Sequence, residues 1–233
     1  ILSQVYVPDP TSVGQHMAGA AAELVRRGWR VVVYTSDRGY DDPAVRYPRR
    51  ELLEGVEVCR LRFSSFGKKR ILLRLLGGLG FVARVGIKGL FVRDLRCVLV
   101  STSPPMCSAA ALFIRLIRRT PFLFWCMDVN PDQAVQIGWA KEEAWSTRAF
   151  AWLLRTTLRR ARRIVSLDRF TTDRLASKTD CSDRIVTLPP WPLDGQLSPI
   201  PHEANPFRTQ HELNGKFVVM YSGNVGATSR ISS

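Results

Sequence analysis

Several features are missing from this 233-residue sequence, and each absence excludes a class of protein. No run of about 18 uncharged apolar residues occurs, so the sequence predicts no conventional membrane-spanning helix. The five cysteines are scattered without CxxC spacing, which argues against a zinc cluster or a disulfide framework and favours a reducing compartment. The phosphate-binding pattern GxxxxGK followed by Ser or Thr is also absent, so the chain is not a P-loop nucleotide hydrolase.

Positive charge, in contrast, is in excess. The chain has 34 Lys and Arg residues against 20 Asp and Glu, a formal net charge of +14. This balance favours a polyanionic partner, and nucleic acid, an anionic membrane surface and phosphorylated substrates all qualify. Nucleic acid is the least favoured, because the basic residues lie among leucines without interleaved aromatics and no zinc-finger, RRM or KH motif occurs. We therefore expect no nucleic-acid partner.

Acidic residues are absent from residues 58–93, although this stretch holds nine Lys or Arg residues among leucines and other apolar residues. An apolar helix fringed by cations suits the headgroup layer of an anionic bilayer. Its glycines indicate a helix that packs poorly on a sheet, which favours the membrane interpretation. The alternative is a surface helix docked on the sheet with a solvated basic face. The membrane interpretation predicts that the following basic residues face the membrane: Lys68, Lys69, Arg70 and Arg74.

The order of apolar segments and helical patterns predicts the fold class. A strand within residues 1–7, centred on 4–7, a helix over 14–27 and a buried strand over 30–35 form a βαβ unit. The alternation then continues along the chain, with strands predicted at 56–61, 98–101, 122–127, 164–167 and 185–188 and helices at 71–92, 106–118, 144–163 and 171–177. The sequence therefore predicts a doubly wound, mostly parallel, Rossmann-like α/β sheet.

Composition changes after residue 188. Residues 1–188 form the predicted Rossmann-like domain, and residues 189–215, which hold six of the 14 prolines, are predicted to be an extended linker. A new strand is predicted over 216–221, and a glycine-containing turn follows it. Residues 216–233 are therefore expected to be the truncated start of a second βα domain, because one strand cannot bury both of its faces.

The first βα loop, residues 8–16, is one segment suited to chemistry. Gly14 lies at the mouth of the first predicted helix, where backbone can approach a ligand closely and free N–H groups favour phosphate. Gln15 follows it, and His16 is either a ligand of an acceptor phosphate or a capping residue. The alternative for Gly14 is an ordinary turn glycine before a helix.

The second segment suited to chemistry follows the strand at 122–127. Ligands of open α/β sheets bind at the carboxyl ends of the strands. Asp128 lies at such an end and is a candidate proton acceptor for an attacking hydroxyl, with Asn130 and Asp132 as neighbours. The alternative is that Asp128 and Asp132 cap the next helix or bind a nearby arginine.

In their order and spacing, these segments resemble the N-terminal half of bacterial family 4 glycosyltransferases of the GT-B fold. Within that family the sequence is most similar to the group that decorates polyprenyl-linked glycans and exopolysaccharides. The matching stretches cover nearly the whole chain, at 8–17, 24–31, 102–105, 127–132, 188–191 and 221–226.

The resemblance implies a division of labour. The N-terminal domain would hold a glycan or polyprenyl-phosphate-linked acceptor at the membrane, a C-terminal domain would hold the nucleotide-sugar, and transfer would occur between them. No metal or other cofactor is implied beyond the nucleotide-sugar substrate. The residues carried over by position are Asp128 as the catalytic or acceptor-orienting residue, Gly14 with Gln15 and His16 in a flexible loop facing phosphates, and Gly223 with Asn224 in the donor-side loop.

One departure from the family pattern bears on activity. The family's donor site uses two glutamates eight positions apart, and no two glutamates here have that spacing. We therefore expect a chain that lacks the donor-binding half, or receives it from a partner, and that transfers sugar weakly or not at all alone. The expected location is the cytoplasmic face of the cell membrane, as a peripheral protein. The alternative function is a noncatalytic Rossmann-like module that binds a membrane surface or a partner.

Overall fold

The computed structural model describes residues 1–40, 42, 44–62, 71–191 and 198–220, and for 71–75 it describes the backbone alone. The chain divides into two compact units, residues 1–190 and residues 191–233. The elements of the first unit run in chain order as α1 (Ser12–Arg26), β1 (Val32–Ser36), β2 (Arg50–Leu53), β3 (Val56–Leu61), α2 (Ile71–Leu90), β4 (Val98–Ser101), α3 (Ser108–Arg118), β5 (Phe122–Trp125), α4 (Asp132–Gln136), α5 (Trp145–Arg160), β6 (Arg163–Ser166), α6 (Arg169–Ala176) and β7 (Ile185–Thr187).

The strands form one sheet in two parts, with orders β1-β3-β2 and β4-β5-β6-β7. Leu2 joins the parts, since it makes parallel bridges to both Tyr34 of β1 and Val100 of β4. All strand pairs are parallel except β2 with β3. The chain therefore starts at the centre of the sheet and builds outward in both directions, which confirms the predicted doubly wound, mostly parallel fold.

The first strand was predicted too far along the chain. Pairing centres on Leu2, and residues 4–7 form no strand. Pro8 and Pro10 follow at once, and because proline has no N–H to donate, the backbone turns out of the sheet before a longer ladder can form.

The β2–β3 hairpin was not predicted. Its turn places Glu54 at φ 48° and Gly55 at φ 79°, the left-handed pair that a tight two-residue hairpin requires. β2 alternates exposed and half-buried residues and contributes no fully buried side chain. The apolar pattern of β2 was therefore too weak to predict a strand from the sequence, although Gly55 at the turn could have indicated a hairpin.

The glycines of α2 form its packing surface, which corrects the expectation that they make it a poor packing helix. Gly86 faces α3 so closely that an added Cβ would lie 3.3 Å from Phe113 Cδ1 and 3.8 Å from the Ala110 Cα. On the same helix, Phe81 and Val85 are completely buried. Small residues thus let α2 pack closely against α3 while larger ones fill the core.

A side chain from α3 also completes the end of α2. The Arg118 guanidinium donates to the Leu90 carbonyl at 3.2 Å and to the Val92 carbonyl. A cation at the C-terminal end of a helix satisfies carbonyls that have no partner within the helix. α2, α3 and α5 pack side by side, α2 on α3 and α3 on α5. The right-handed crossover rule places this layer on the face of the sheet opposite α1.

The second unit departs from its prediction in two places. The predicted linker contains a 3₁₀ turn (His202–Ala204) and a short helix, α7 (Pro206–Gln210). Residues 216–220, the described part of the predicted strand, have no strand structure, and Phe217 is 96% exposed. A strand needs a neighbour to satisfy its backbone N–H and C=O groups, and no described residue pairs with this segment.

The glycine packing of α2 gives a stability test. We expect Gly86→Val to lower the free energy of unfolding by about 1–3 kcal/mol, because the added methyls overlap the Phe113 ring. The control is Ala83→Val on the exposed side of the same helix, which costs only the lower helix propensity of valine, below about 1 kcal/mol. Denaturant unfolding of both variants makes the comparison, and equal losses would contradict the packing role.

Candidate active site

The loops that follow the central strands meet at the carboxyl edge of the sheet. The Gln4 N–H donates to the Ser103 carbonyl at 2.7 Å, and the Asp128 N–H lies 3.3 Å from Thr102 Oγ1. The segments after Leu2, β4 and β5 are therefore tied to one another. In a doubly wound sheet this edge, at the strand where the order reverses, is where ligands bind.

Asp128 lies at the mouth of a pocket at this edge. Thr102, Pro105 and Asn130 line one part of it, and α5 contributes Phe150, Leu153 and Leu154. The pocket thus combines one carboxylate, three other polar side chains and an apolar wall in a cavity of about 10 Å³, which has room for about one hydroxyl-sized group.

The electrostatic environment of Asp128 raises its basicity. The residue is exposed on one side, yet the protein atoms around its carboxylate remove enough water to raise the pKa above its ordinary value of 3.8. A hydrogen bond with Gln133 acts in the opposite direction and does not cancel the effect. A carboxylate with a raised pKa accepts a proton more readily than one in water.

Asp132 has a different environment and a different role. Its carboxylate accepts from Arg174 Nε at 2.8 Å and from Lys178 Nζ at 2.7 Å. Partial burial opposes its ionisation, but the hydrogen bonds and charges of Lys178 and Arg174 outweigh this and hold the pKa below 3.8. These contacts agree with the alternative interpretation, in which Asp132 binds nearby basic side chains and ties α4 to α6.

Gly14 lies in the first turn of α1, which agrees with the predicted helix over 14–27 and differs from the loop placement that the resemblance implies. Its N–H donates to Thr11 Oγ1 at 3.2 Å, and an added Cβ would lie 3.1 Å from the Tyr6 Cα. The glycine is therefore required by the close approach of the preceding backbone. The Gln15 N–H donates to the Thr11 carbonyl at 3.0 Å, so both amide groups are engaged within the chain. His16 Nδ1 lies 2.7 Å from the Ser12 carbonyl oxygen.

The side chains of the remaining predicted site residues are not described. Lys68, Lys69, Arg70, Gly223 and Asn224 lie outside the described residues, and Arg74 is described only as backbone in α2.

Sequence reasoning did not select Thr102, Gln133 or the α5 residues of the pocket. Thr102 could have been found, because it follows β4 as Asp128 follows β5 and neighbouring parallel strands end together. Which residues of α5 face the pocket depends on how that helix packs, which the sequence pattern does not specify.

Two kinds of feature are absent from the described residues. They contain no group of three or more His, Cys, Asp or Glu side chains placed to hold a metal ion. Within the same residues, no helix combines the length and apolar character needed to cross a membrane.

A comparison with protein families identifies the domain. The family model described as a glycosyl transferase 4-like domain matches residues 11–191. The chain belongs to the glycosyl transferase 4-like family. The matched region runs from the Thr11 cap of α1 through the Asp128 pocket to β7, so a transferase function of the GT-B type belongs to the unit that carries the candidate site. No curated protein matches the chain.

Removal of the Asp132 ion pairs should lower the stability of this glycosyl transferase 4-like domain. We expect Asp132→Asn to lower the free energy of unfolding at pH 7 by about 1–2 kcal/mol, because two partly buried cations lose their partner. A group whose folded pKa is lowered stabilises the fold above its unfolded pKa. The difference between wild type and variant should therefore shrink as the pH falls below 3.8. Unfolding curves at several pH values measure it, and a loss independent of pH would contradict this role.

For Asp128 we predict the opposite dependence of stability on pH. Its raised pKa means that the ionised form is disfavoured in the folded protein, so its contribution to stability is present at low pH and lost as the pH rises through the folded pKa. We expect Asp128→Asn to leave the protein equally stable or slightly more stable at pH 7, as is common for residues retained for function. The same unfolding experiment tests this, and a loss as large as that of Asp132→Asn would show a structural role instead.

Proposed function

We propose that this chain forms the acceptor side of a glycosyltransferase that moves a sugar from a nucleotide-sugar to a lipid-linked or polysaccharide acceptor in cell-envelope glycan synthesis. Family membership supports sugar transfer. The finer assignment depends on one observation, the Asp128 pocket, in which a carboxylate of raised pKa adjoins an apolar wall of α5.

The chemistry of the pocket suits activation of an acceptor hydroxyl. The acceptor oxygen forms a bond to the anomeric carbon of the donor sugar while the bond from that carbon to the nucleoside diphosphate breaks. Asp128 takes the proton of the attacking hydroxyl, and the electron pair of the broken bond leaves with the diphosphate. In this proposal the hydroxyl of Thr102 and the amide of Asn130, which line the same pocket, would orient the acceptor sugar.

The apolar wall favours an acceptor with a lipid or reducing-end hydrophobic portion. Phe150, Leu153 and Leu154 lie on α5, beside the polar groups of the pocket. The cavity of about 10 Å³ admits about one hydroxyl-sized group, so a prenyl chain or the apolar face of an attached sugar would cover the rim of this wall and would not enter the pocket. The partners of the proposed enzyme are thus a nucleotide-sugar and a glycan or polyprenyl-phosphate-linked acceptor.

The absence of two glutamates eight positions apart, the pair that the family's donor site uses, bears on the same proposal. The donor-binding function would come from a further domain or a partner chain, and this chain alone would bind acceptor and transfer little sugar. Robust transfer by the purified 233-residue chain would contradict that part of the proposal.

Acceptor binding tests the pocket without requiring transfer. The probe is a short-chain prenyl-diphosphate-linked disaccharide, and its binding to the full chain is followed by saturation-transfer NMR. We expect Leu153→Trp to weaken binding by about tenfold or more, because the larger ring fills the pocket.

The matched control is Leu52→Trp on β2, where the side chain is 69% exposed and does not line the pocket. The control should bind like the wild type. Binding that is absent in the wild type, or equal in all three proteins, would overturn the acceptor assignment. Tight binding of a free nucleotide-sugar that Leu153→Trp abolishes would instead make the pocket a donor site.

A further inference from the structure

The outward surface of α2 carries a line of exposed apolar side chains. Leu76, Leu79 and Ile87 are each more than half exposed, and Phe91, just beyond the end of the helix, is 79% exposed. Their spacing of three, eight and four residues keeps them on one side of the helix. The opposite side, with Phe81, is buried in the core. A helix that is apolar on both sides normally has a partner on each.

α3 continues this apolar surface. Phe113, Leu116 and Ile117 are exposed on its outward side, and Leu116 reaches 80%. The Phe113 ring lies against Gly86 of α2, so the apolar lines of the two helices adjoin. We call these seven residues, four from α2 and its end and three from α3, the α2–α3 face. Contiguous apolar surface spread over two helices is rare on a monomer unless something covers it.

Cations predominate along the α2–α3 face, although Glu51 and Glu57 line a groove with Phe91 at one end of it. α2 contains Arg84 and Lys88, α3 contains Arg115, and neither helix contains an acidic residue. Arg118 of α3 is engaged with the carbonyls at the end of α2. Arg119 follows directly. Docking two copies through this face would bring cations against cations, which disfavours self-association. Apolar side chains with a fringe of Lys and Arg match the boundary between the acyl chains and the phosphates of anionic lipids.

The neighbouring helix supplies residues suited to the same boundary. On α5, Trp145 and Trp152 are strongly exposed, and Arg148 and Arg155 lie between and beyond them at helical spacing. Tryptophan side chains favour the membrane–water interface because they combine an apolar ring with a polar N–H.

We propose that the α2–α3 face docks on an anionic membrane surface, with its apolar side chains at the headgroup boundary and its cations at the lipid phosphates. This surface includes part of the basic segment whose membrane role the sequence suggested, but it is carried by different residues. The proposal does not rest on the acceptor pocket.

Co-sedimentation with lipid vesicles tests this docking surface. The full chain is mixed with phosphatidylcholine vesicles and with vesicles containing about one third phosphatidylglycerol. We expect binding to the anionic vesicles that weakens at high salt, because exposed charges are screened. The double variant Leu79→Glu, Leu116→Glu should bind at least about tenfold more weakly, since two apolar anchors are lost.

The matched control places the same two charges elsewhere. Val186→Glu, Phe170→Glu changes side chains that are 50% and 69% exposed, on β7 and α6, and neither lines the groove that contains Phe91. It should remain within about threefold of the wild type if only local contacts matter. Circular dichroism confirms that both double variants fold.

Three outcomes would overturn the proposal. The first is a wild type that does not bind anionic vesicles, and the second is an equal loss in the two double variants, which would show a general charge effect. The third is a wild-type dimer, detected by light scattering, that Leu79→Glu, Leu116→Glu converts to a monomer without affecting vesicle binding. That result would make the face an interface between copies.

Discussion

The pairing of one short backbone segment holds the two parts of the sheet together. The Leu2 N–H donates to the Leu99 carbonyl at 2.8 Å, and the Ser101 N–H donates to the Leu2 carbonyl at 3.2 Å. On the other side, the Ser3 N–H donates to the Tyr34 carbonyl at 3.2 Å. This segment is the point where the strand order reverses, so the loops on either side diverge and leave a crevice. The Asp128 pocket lies next to that reversal, where the β4 and β5 loops meet α5, and no residue of the Leu2 segment lines it.

The two aspartates after β5 show how the environment shifts the pKa of the same carboxyl group in opposite directions. They are four residues apart and chemically identical, yet Asp132 is held by two cations while Asp128 faces a pocket without one among its described partners. The same carboxyl group is stabilised as an anion in one place and made more basic in the other. The proposed role of Asp128 as a proton acceptor in sugar transfer depends on the second condition.

Much of the fold could be predicted from the sequence because its signals are local. β3 and β4 have the predicted bounds, 56–61 and 98–101, since each begins with two valines, two positions apart, that are buried on one side of the sheet. What could not be predicted depends on tertiary contacts. The glycines of α2 gave no sign that α3 packs on them, and the predicted strand at 216–220 has no pairing partner among the described residues. For the site, the position of Asp128 was predictable, while the division of roles between Asp128 and Asp132 was not, because Arg174 and Lys178 are distant in sequence.

Photo-crosslinking with an acceptor analogue tests the central claim most directly. A prenyl-diphosphate-linked disaccharide that carries a diazirine on its terminal sugar is irradiated with the full chain, and labelled peptides are identified by mass spectrometry. The account predicts labels concentrated in the β4 loop at 102–105, the β5 loop at 128–130 and the inner side of α5 at 150–154. Labels that avoid all three segments, or a diazirine-bearing nucleotide-sugar that labels them in place of the acceptor, would contradict it.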